Sequence, residues 1–313
     1  MKAVICTKYG PPEVLKLGEV EKPTPKKTEV CVKIFATAVT PSDCVYRGAK
    51  ISIWHPVGFM MRLAFGFTKP RNPLIGMVLA GEIESVGENV KRFKKGDQVY
   101  GMVNYGFGTY AQYLGMSEKG CLIKKPATIS YEEAAAVPWS GLIAQDFLMR
   151  GGIKSKQKVL IYGAAGAIGT AAVQLAKFYG AEVTAACDTA DLELVNSLGA
   201  DVVIDYIKED LLSSNEHYDL IIDAVGKNNS PRLEPQCKKM LTKQGQFLSV
   251  DNGMPNTKIK YLELLNELIK EGRFKPVIDK SYPLSQIVEA HRYTDDWLKR
   301  GNVVITVDHD RAS

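Results

Sequence analysis

The sequence predicts an α/β protein in two parts, an antiparallel β region and a doubly wound parallel sheet, and three observations carry that prediction. Up to about residue 125 the chain consists of short β-branched or aromatic runs divided by turns rich in Gly, Pro, Lys and Asp. From about Tyr131, near-continuous apolar strands alternate with helical segments, the pattern of a parallel sheet covered on both faces. The 313 residues, 45% hydrophobic and 24% charged, are enough to build two separate cores.

The opening "MKAVIC" lacks a charged region followed by a long apolar one, so it reads as a first strand and not as a signal peptide. "EVCVKIFATAV" (Glu29 to Val39), "LAGEIESVG" (Leu79 to Gly87), "DQVYGMV" and "TYAQYLGM" continue the β region. "SYEEAAAVPWSGLIAQDFLMR" reads as helix, with Ser130 as N-cap and Glu132 and Glu133 in the first turn, where the helix dipole favours negative charge. "KVLIYG" is an apolar strand, "AIGTAAVQLAKFYG" a helix ended by Gly180, and "EVTAAC" the next strand. "DLELVNSLG" is helical, "DVVIDY", "YDLIIDAVG" and "QFLSV" are extended, and "KIKYLELLNELIKEG" is helical. The last stretch, including "GNVVITV", reads as strands and one helix that rejoin the first domain. The expected division is therefore 1–125 completed by 270–313, with 126–269 between.

Composition excludes several classes. The net charge is only +5, and the densest basic run, Lys91 to Lys95, leads straight into Gly96 and Asp97, a solvated turn and not a nucleic-acid patch. The six cysteines form no CxxC pair, which argues against a disulfide framework or a zinc knuckle and for a reducing compartment, here the cytoplasm. The most apolar segment, Ile51 to Phe67, is interrupted by His55, Pro56, Gly58 and Arg62. It is too short and broken to span a bilayer, and no membrane partner is expected.

The chemistry-bearing motif is "YGAAGAIGTAA" (162 to 172), in which Gly163, Gly166 and Gly169 are spaced G-x-x-G-x-x-G between an apolar strand and an alanine-rich helix. With Ala164, Ala165, Ala167 and Ile168, they make a turn poor in side chains. Such a turn lets backbone N–H groups approach a pyrophosphate at a helix N-terminus. Close helix-to-strand packing without a ligand is the competing reading. Asp188 ends the next strand nineteen residues after Gly169, near the spacing of the acid that hydrogen-bonds the adenosine ribose. No Arg or Lys lies between 181 and 207, so NAD(H) is favoured over NADP(H). Asp188 equally suits an N-cap for a helix beginning near Ala190.

The chain resembles the zinc-independent quinone oxidoreductase (zeta-crystallin-like) branch of the medium-chain dehydrogenase/reductases over nearly its whole length. The resemblance rests on "TPSDCVYRG", "PLIGMVLAGEIESVGENVKRFKKGDQVYG", "EEAAAVPWSGLIA", "GAAGAIGTAAVQLAK", "LGADVVIDY" and "KRGNVVITV". It implies a GroES-like β domain made from both chain ends and a Rossmann domain between them, with the active site in the cleft. It implies a homodimer too, and allows NADP(H) as coenzyme. Metal-dependent relatives carry Cys where this chain has Thr40 and His where it has Met77, side chains that cannot replace thiolate and imidazole on zinc.

Without a Lewis acid, the implied reaction is hydride transfer to a quinone or an α,β-unsaturated carbonyl, whose developing charge needs only hydrogen-bond donors. A zinc-free alcohol or aldehyde reductase, or a non-enzymatic nucleotide- or RNA-binding relative, are the alternatives.

The resemblance also assigns positions. Thr40 is a donor to nicotinamide ribose or substrate, or else a strand-end threonine. Tyr46 falls one residue later than the family's substrate-site tyrosine, and Asp43 matches a recurrent acid or else caps a helix. Tyr206 belongs beside the adenosine end, Val225 and Gly226 along the nicotinamide ribose, and Ser249, Val250 and Asp251 facing the nicotinamide. Asn302 approaches from the returning chain end, and for each of these positions from Tyr206 onward a packing or turn role is the competing reading. Trp54, Phe59, Met60, Met61, Phe65 and Phe67 form either a flap over the substrate or ordinary core or dimer contact.

Overall fold

The computed structural model describes residues 1–49, 56–103, 107–211, 215–226, 233–251, 253, 255–296 and 299–309. The chain forms two compact units, Met1–Trp139 with Ile278–Ser313, and Ser140–Val277.

The first unit opens with β1 (Lys2–Cys6) and β2 (Leu15–Glu19), an antiparallel pair. The long central strand β3 (Glu29–Val39) leads into α1 (Pro41–Gly48) and α2 (Pro56–Phe65). Then come β4 (Val78–Val86), β5 (Gln98–Met102), β6 (Tyr113–Ser117), β7 (Cys121–Lys124) and α3 (Tyr131–Ala135). Ser130 caps α3 with a full capping box to Glu133. The sequence reads 130 to 150 as one helix, but α3 ends and α4 (Pro138–Arg150) starts afresh. Pro138 has no N–H to give and its ring collides with the preceding turn, so the helix restarts with proline in its first turn.

The second unit contains β8 (Lys158–Tyr162), α5 (Ala167–Phe178), β9 (Glu182–Cys187), α6 (Leu192–Ser197) and β10 (Val202–Asp205). It continues with β11 (Tyr218–Asp223), α7 (Leu233–Lys239), β12 (Leu241–Ser249) and α8 (Ile259–Lys270). Its five strands are all parallel, in the order β10-β9-β8-β11-β12. The order reverses between β8 and β11, and in such sheets the carboxyl ends at the reversal form the ligand crevice.

The chain then returns to the first unit through β13 (Ile278–Pro283), α9 (Ile287–Asp295) and β14 (Asn302–Thr306). β14 pairs antiparallel with β3, in a sheet ordered β13-β14-β3-β4-β5-β7 with β6 also on β3. Val32, Ile34, Leu79, Val99, Leu122 and Val303 fill its core. All six cysteines are buried free thiols. Among the described residues, no helix is long and apolar enough to cross a membrane.

Candidate active site

The three glycines after β8 serve different purposes. Gly163 turns the chain at φ +77°, a left-handed conformation that favours glycine, and its N–H and that of Ala164 both donate to Ala186 O at 3.0 Å. A Cβ on Gly169 would lie 2.1 Å from Gly163 O and 2.7 Å from Ala164 Cα, so glycine there lets α5 press against the turn. Gly166 is the N-cap of α5 at φ −71° and ψ 171°, an ordinary extended conformation, and a Cβ there would meet only Gly163 O at 3.4 Å. Nothing in the fold demands glycine at 166. No N-cap side chain takes up the first amides of the helix, at Ala167, Ile168 and Gly169, the groups that hold an anion at a helix start. Ala164, Ala165, Ala167 and Ile168 are buried around the turn. The residues present therefore fit a dinucleotide pyrophosphate.

The ends of β11 and β12 are tied together by Asp223, which sequence reasoning passed over. Its Oδ1 accepts the N–H groups of Val225 and Gly226 at 3.0 Å each, and its Oδ2 accepts the Ser249 hydroxyl at 2.8 Å. Val250 N–H donates to the Asp223 carbonyl, and Asp251 N–H donates to Ser249 Oγ at 3.3 Å. Five predicted residues thus meet at one sheet edge, beside Gly163, whose Cβ would strike Val225 Cγ2. Ser249 is wholly buried and its hydroxyl is committed to Asp223. The available signal was an acid ending an apolar strand, "DLIID".

Asp188 accepts the Ala190 N–H at 3.1 Å and so fills the capping role that competed with the ribose role. A carboxylate has lone pairs for both. Tyr206 stacks on Tyr162, with ring centroids 5.2 Å apart and planes 28° apart. Burial, then the neighbouring Tyr162 and Asp188, push its hydroxyl up to about 12. Thr189 donates to Asp205 Oδ2 at 2.7 Å, and Lys208 reaches the same oxygen at 3.4 Å. Lys208, the first basic residue after the span 181–207, comes to the edge of this cluster as half of an ion pair.

In the first unit, Thr40 and Asp43 form a capping box on α1. Thr40 N–H and hydroxyl donate to Asp43 Oδ2 at 2.9 and 2.7 Å, and Asp43 N–H donates back to Thr40 Oγ1 at 3.2 Å. Asp43 is fully buried, and desolvation raises its carboxyl to about 6 against the pull of the Thr40 hydrogen bonds. Its Oδ1 has no partner at hydrogen-bonding geometry, with the Tyr110 hydroxyl and Gly76 N–H close enough to lower the pKa. The β3–β14 register, Val39 opposite Val303, sets Asn302 across from Thr40.

Tyr46 is 4% exposed and stacks on Phe107, centroids 4.3 Å apart, with Phe65 edge-on at 5.4 Å. With Tyr9, Ala49, Gly58, Arg62 and Phe65 it lines a cavity of about 20 Å³. Behind it Arg47, almost fully buried, donates to Gly10 O at 3.3 Å, to His291 Nδ1 at 3.0 Å and to Asp295 Oδ2, bracing α1 against α9. Of the flap residues, Phe65 turns inward, whereas Phe59, Met60 and Phe67 are exposed. Trp54 and the side chain of Met61 lie outside the described residues.

Residues 26–127 match the family described as alcohol dehydrogenase GroES-like domain, and residues 167–278 and 252–305 match two described as zinc-binding dehydrogenase. The chain is 33% identical to the 2-methylene-furan-3-one reductase of Solanum lycopersicum, over 97% of this chain and 79% of that protein. The chain belongs to the medium-chain dehydrogenase/reductase family. This dehydrogenase/reductase is also 32% identical to the chloroplastic NADPH-dependent alkenal/one oxidoreductase of Arabidopsis thaliana, with the same 97% and 79% coverage. Its fold superposes on the quinone oxidoreductase from Coxiella burnetii with a TM-score of 0.83 at 26% identity, covering 98% and 99% of the two chains. It is an oxidoreductase that works with a nicotinamide coenzyme.

The donor set does not fit the zinc of the family description. The Thr40 hydroxyl is committed to Asp43 and Met77 packs on the apolar core. Among the described residues, no group of three or more His, Cys, Asp or Glu is placed to hold a metal ion.

Proposed function

We propose that this dehydrogenase/reductase reduces a quinone or an α,β-unsaturated carbonyl with NADH and without a metal ion, the second unit holding the coenzyme and the first unit, completed by the returning chain end, holding the acceptor. The observation that carries this reading is the Thr40–Asp43 pair, which puts a hydrogen-bonded hydroxyl and a buried carboxyl of raised pKa where metal-dependent relatives place a ligand. With its diphosphate on the glycine turn, the bound coenzyme would supply a hydride to the carbon end of the conjugated acceptor, leaving the electron pair on the acceptor oxygen.

That oxygen needs a donor. With its carboxyl near 6, Asp43 changes protonation close to neutrality. Protonated, it donates to Thr40 Oγ1, which frees the Thr40 hydroxyl hydrogen to point at the acceptor oxygen. The two residues then form a short relay that delivers a proton. Thr40 is the catalytic donor, Asp43 its proton source, and Asn302, set opposite Thr40, a second polar group for the acceptor. Tyr46 serves as an aromatic wall, its ring already stacked on Phe107.

In the second unit, the amides at the start of α5 hold the diphosphate. Asp188 meets the adenosine ribose hydroxyls and Tyr206 borders the adenosine. Val225 and Gly226 line the nicotinamide ribose, while Val250 and Asp251 face the nicotinamide with Ser249 and Asp223 holding their loop. A carboxylate at 188 repels a 2′-phosphate, and Lys208 is already paired with Asp205, so NADH is preferred. We assign a homodimer joined through an edge of the five-stranded sheet. The buried free thiols fit a reducing compartment such as the cytoplasm.

The deciding test is NADH and NADPH oxidation by the purified chain against benzoquinones, 2-alkenals and simple aldehydes, with and without a chelator. Faster turnover of quinones or alkenals, unaffected by the chelator, is expected. Preference for simple aldehydes, or loss of turnover on chelation, overturns the reading.

A further inference from the structure

Helix α2 has two faces with opposite surroundings. Its inner face is fastened to the first unit. The Arg62 guanidinium lies over the Tyr9 ring at 4.4 Å and donates to Phe67 O at 3.0 Å, Tyr9 donates to Gly66 O at 2.8 Å, and Phe65 packs on Tyr46 and Phe107. Its outer face, among the described residues, is apolar and exposed. Phe59, Met60, Leu63 and, just past the helix end, Phe67 are 47%, 68%, 51% and 52% exposed. Phe59 and Met60 lie one turn before Leu63 on the helix, and Phe67, carried past the helix end by Gly66, meets Phe59 edge-on at 6.5 Å, so the four form one patch. The patch ends at exposed Lys69 and Arg71. From Cys44 to Gly81 the sequence contains no Asp or Glu, and with Arg47 buried on Asp295 and Arg62 turned to Tyr9, Lys69 and Arg71 are the charges this stretch presents among its described residues.

We propose that this face docks the enzyme on an anionic lipid bilayer, Phe59, Met60, Leu63 and Phe67 entering the headgroup boundary and Lys69 and Arg71 meeting the lipid phosphates. An apolar helical face flanked by basic residues, too short to span, is the form that lies in a membrane interface. A second copy of the chain is a poorer occupant, because two-fold pairing presents the exposed Lys69 and Arg71 of both copies to one interface. The proposal rests on the quinone and enone reading for its purpose. Such acceptors dissolve in bilayers, and the residue bracing α2 from inside, Phe65, touches the aromatic wall of the acceptor site. Its physical basis does not depend on turnover.

The test is co-sedimentation of the full chain with phosphatidylcholine vesicles, alone or with about one-third phosphatidylserine. Each basic side chain near an anionic surface contributes roughly fivefold, so about 25-fold tighter binding to the anionic vesicles is expected, and less in high salt. Lys69→Glu with Arg71→Glu should abolish that preference. Phe59→Ser with Leu63→Ser should weaken binding to the anionic vesicles by about a hundredfold. The affected side chains are exposed, and unchanged circular dichroism and NADH titration confirm the fold of each variant. The proposal is overturned if the folded chain stays in the supernatant with both vesicles or if the serine variant sediments like the parent. It is equally overturned if, without lipid, the parent self-associates through this face and the serine variant separates. Vesicle binding with no quinone or enone turnover would leave the surface standing and remove the functional reading, and the converse result would do the reverse.

Discussion

The Thr40 hydroxyl donates to Asp43 Oδ2 at 2.7 Å while the Asp43 amide donates back to Thr40 Oγ1 at 3.2 Å, so the two buried residues are one hydrogen-bonded unit. The helix cap thereby uses the same atoms as the proposed proton relay.

This coupling makes Asp43 a measurable liability. Its carboxyl rises from an ordinary 3.8 to about 6. Between those values the unfolded chain has released the proton and the folded chain keeps it, so stability falls as pH rises through the window and stays lowered above it. The gap corresponds to roughly 3 kcal/mol. Asp43→Asn keeps an acceptor for Thr40 and removes the titration. Melting temperatures from pH 4 to 8 should therefore show the variant gaining on the parent as pH rises, while its turnover drops. A constant difference across the range would refute the account.

The glycine turn predicts a split between folding and binding. Gly169→Ala must push α5 off the turn, costing about 2 kcal/mol or more in urea unfolding, because the obstacle is backbone. Gly166→Ser has room and caps a helix well, so stability should stay within about 0.5 kcal/mol. NADH affinity, read by fluorescence titration, should nevertheless fall by at least about tenfold, since the new side chain occupies the diphosphate position. Equal losses of stability in both variants would show that packing alone explains the motif.

Coenzyme choice is testable without disturbing the cap. In Asp188→Ser with Ala190→Arg, serine still accepts the residue 190 N–H, the negative charge is gone, and a bidentate phosphate partner is supplied. Titration should show the parent binding NADH more tightly and the variant binding NADPH more tightly. A parent that prefers NADPH would remove the role assigned to Asp188.

Tyr46 distinguishes wall from donor. Tyr46→Ala empties a buried aromatic stack and should cost about 3 kcal/mol or more. Tyr46→Phe keeps the ring on Phe107, and both stability and kcat should remain near the parent. A large kcat loss in the phenylalanine variant would make its hydroxyl, not Thr40, the donor.

Arg47 predicts a stability effect from a charge. Arg47→Met leaves Asp295 and the carbonyl of Gly10 without their buried donor, and a drop of about 3 kcal/mol in urea unfolding is expected. Arg47→Lys should recover little, because a single ammonium cannot reach Gly10, His291 and Asp295 together.

By itself, the sequence determined the architecture and the glycine turn, because both are written in short-range patterns: strand runs of continuous apolar residues, an alanine-rich helix, small residues at its start. The proline that divides α3 from α4 was equally local and was passed over in favour of helical composition. Only the tertiary structure separated Gly166 from Gly169, because identical residues three apart meet solvent in one case and a folded-back carbonyl in the other. Only it buried Asp43, joined Arg47 to His291 and Asp295 across some 240 residues of chain, and gathered the β11 and β12 loop ends on Asp223. It also turned Phe65 inward and Phe59 outward on one short helix. Burial, pKa and direction of approach depend on what the rest of the chain brings alongside, and no local spacing encodes that.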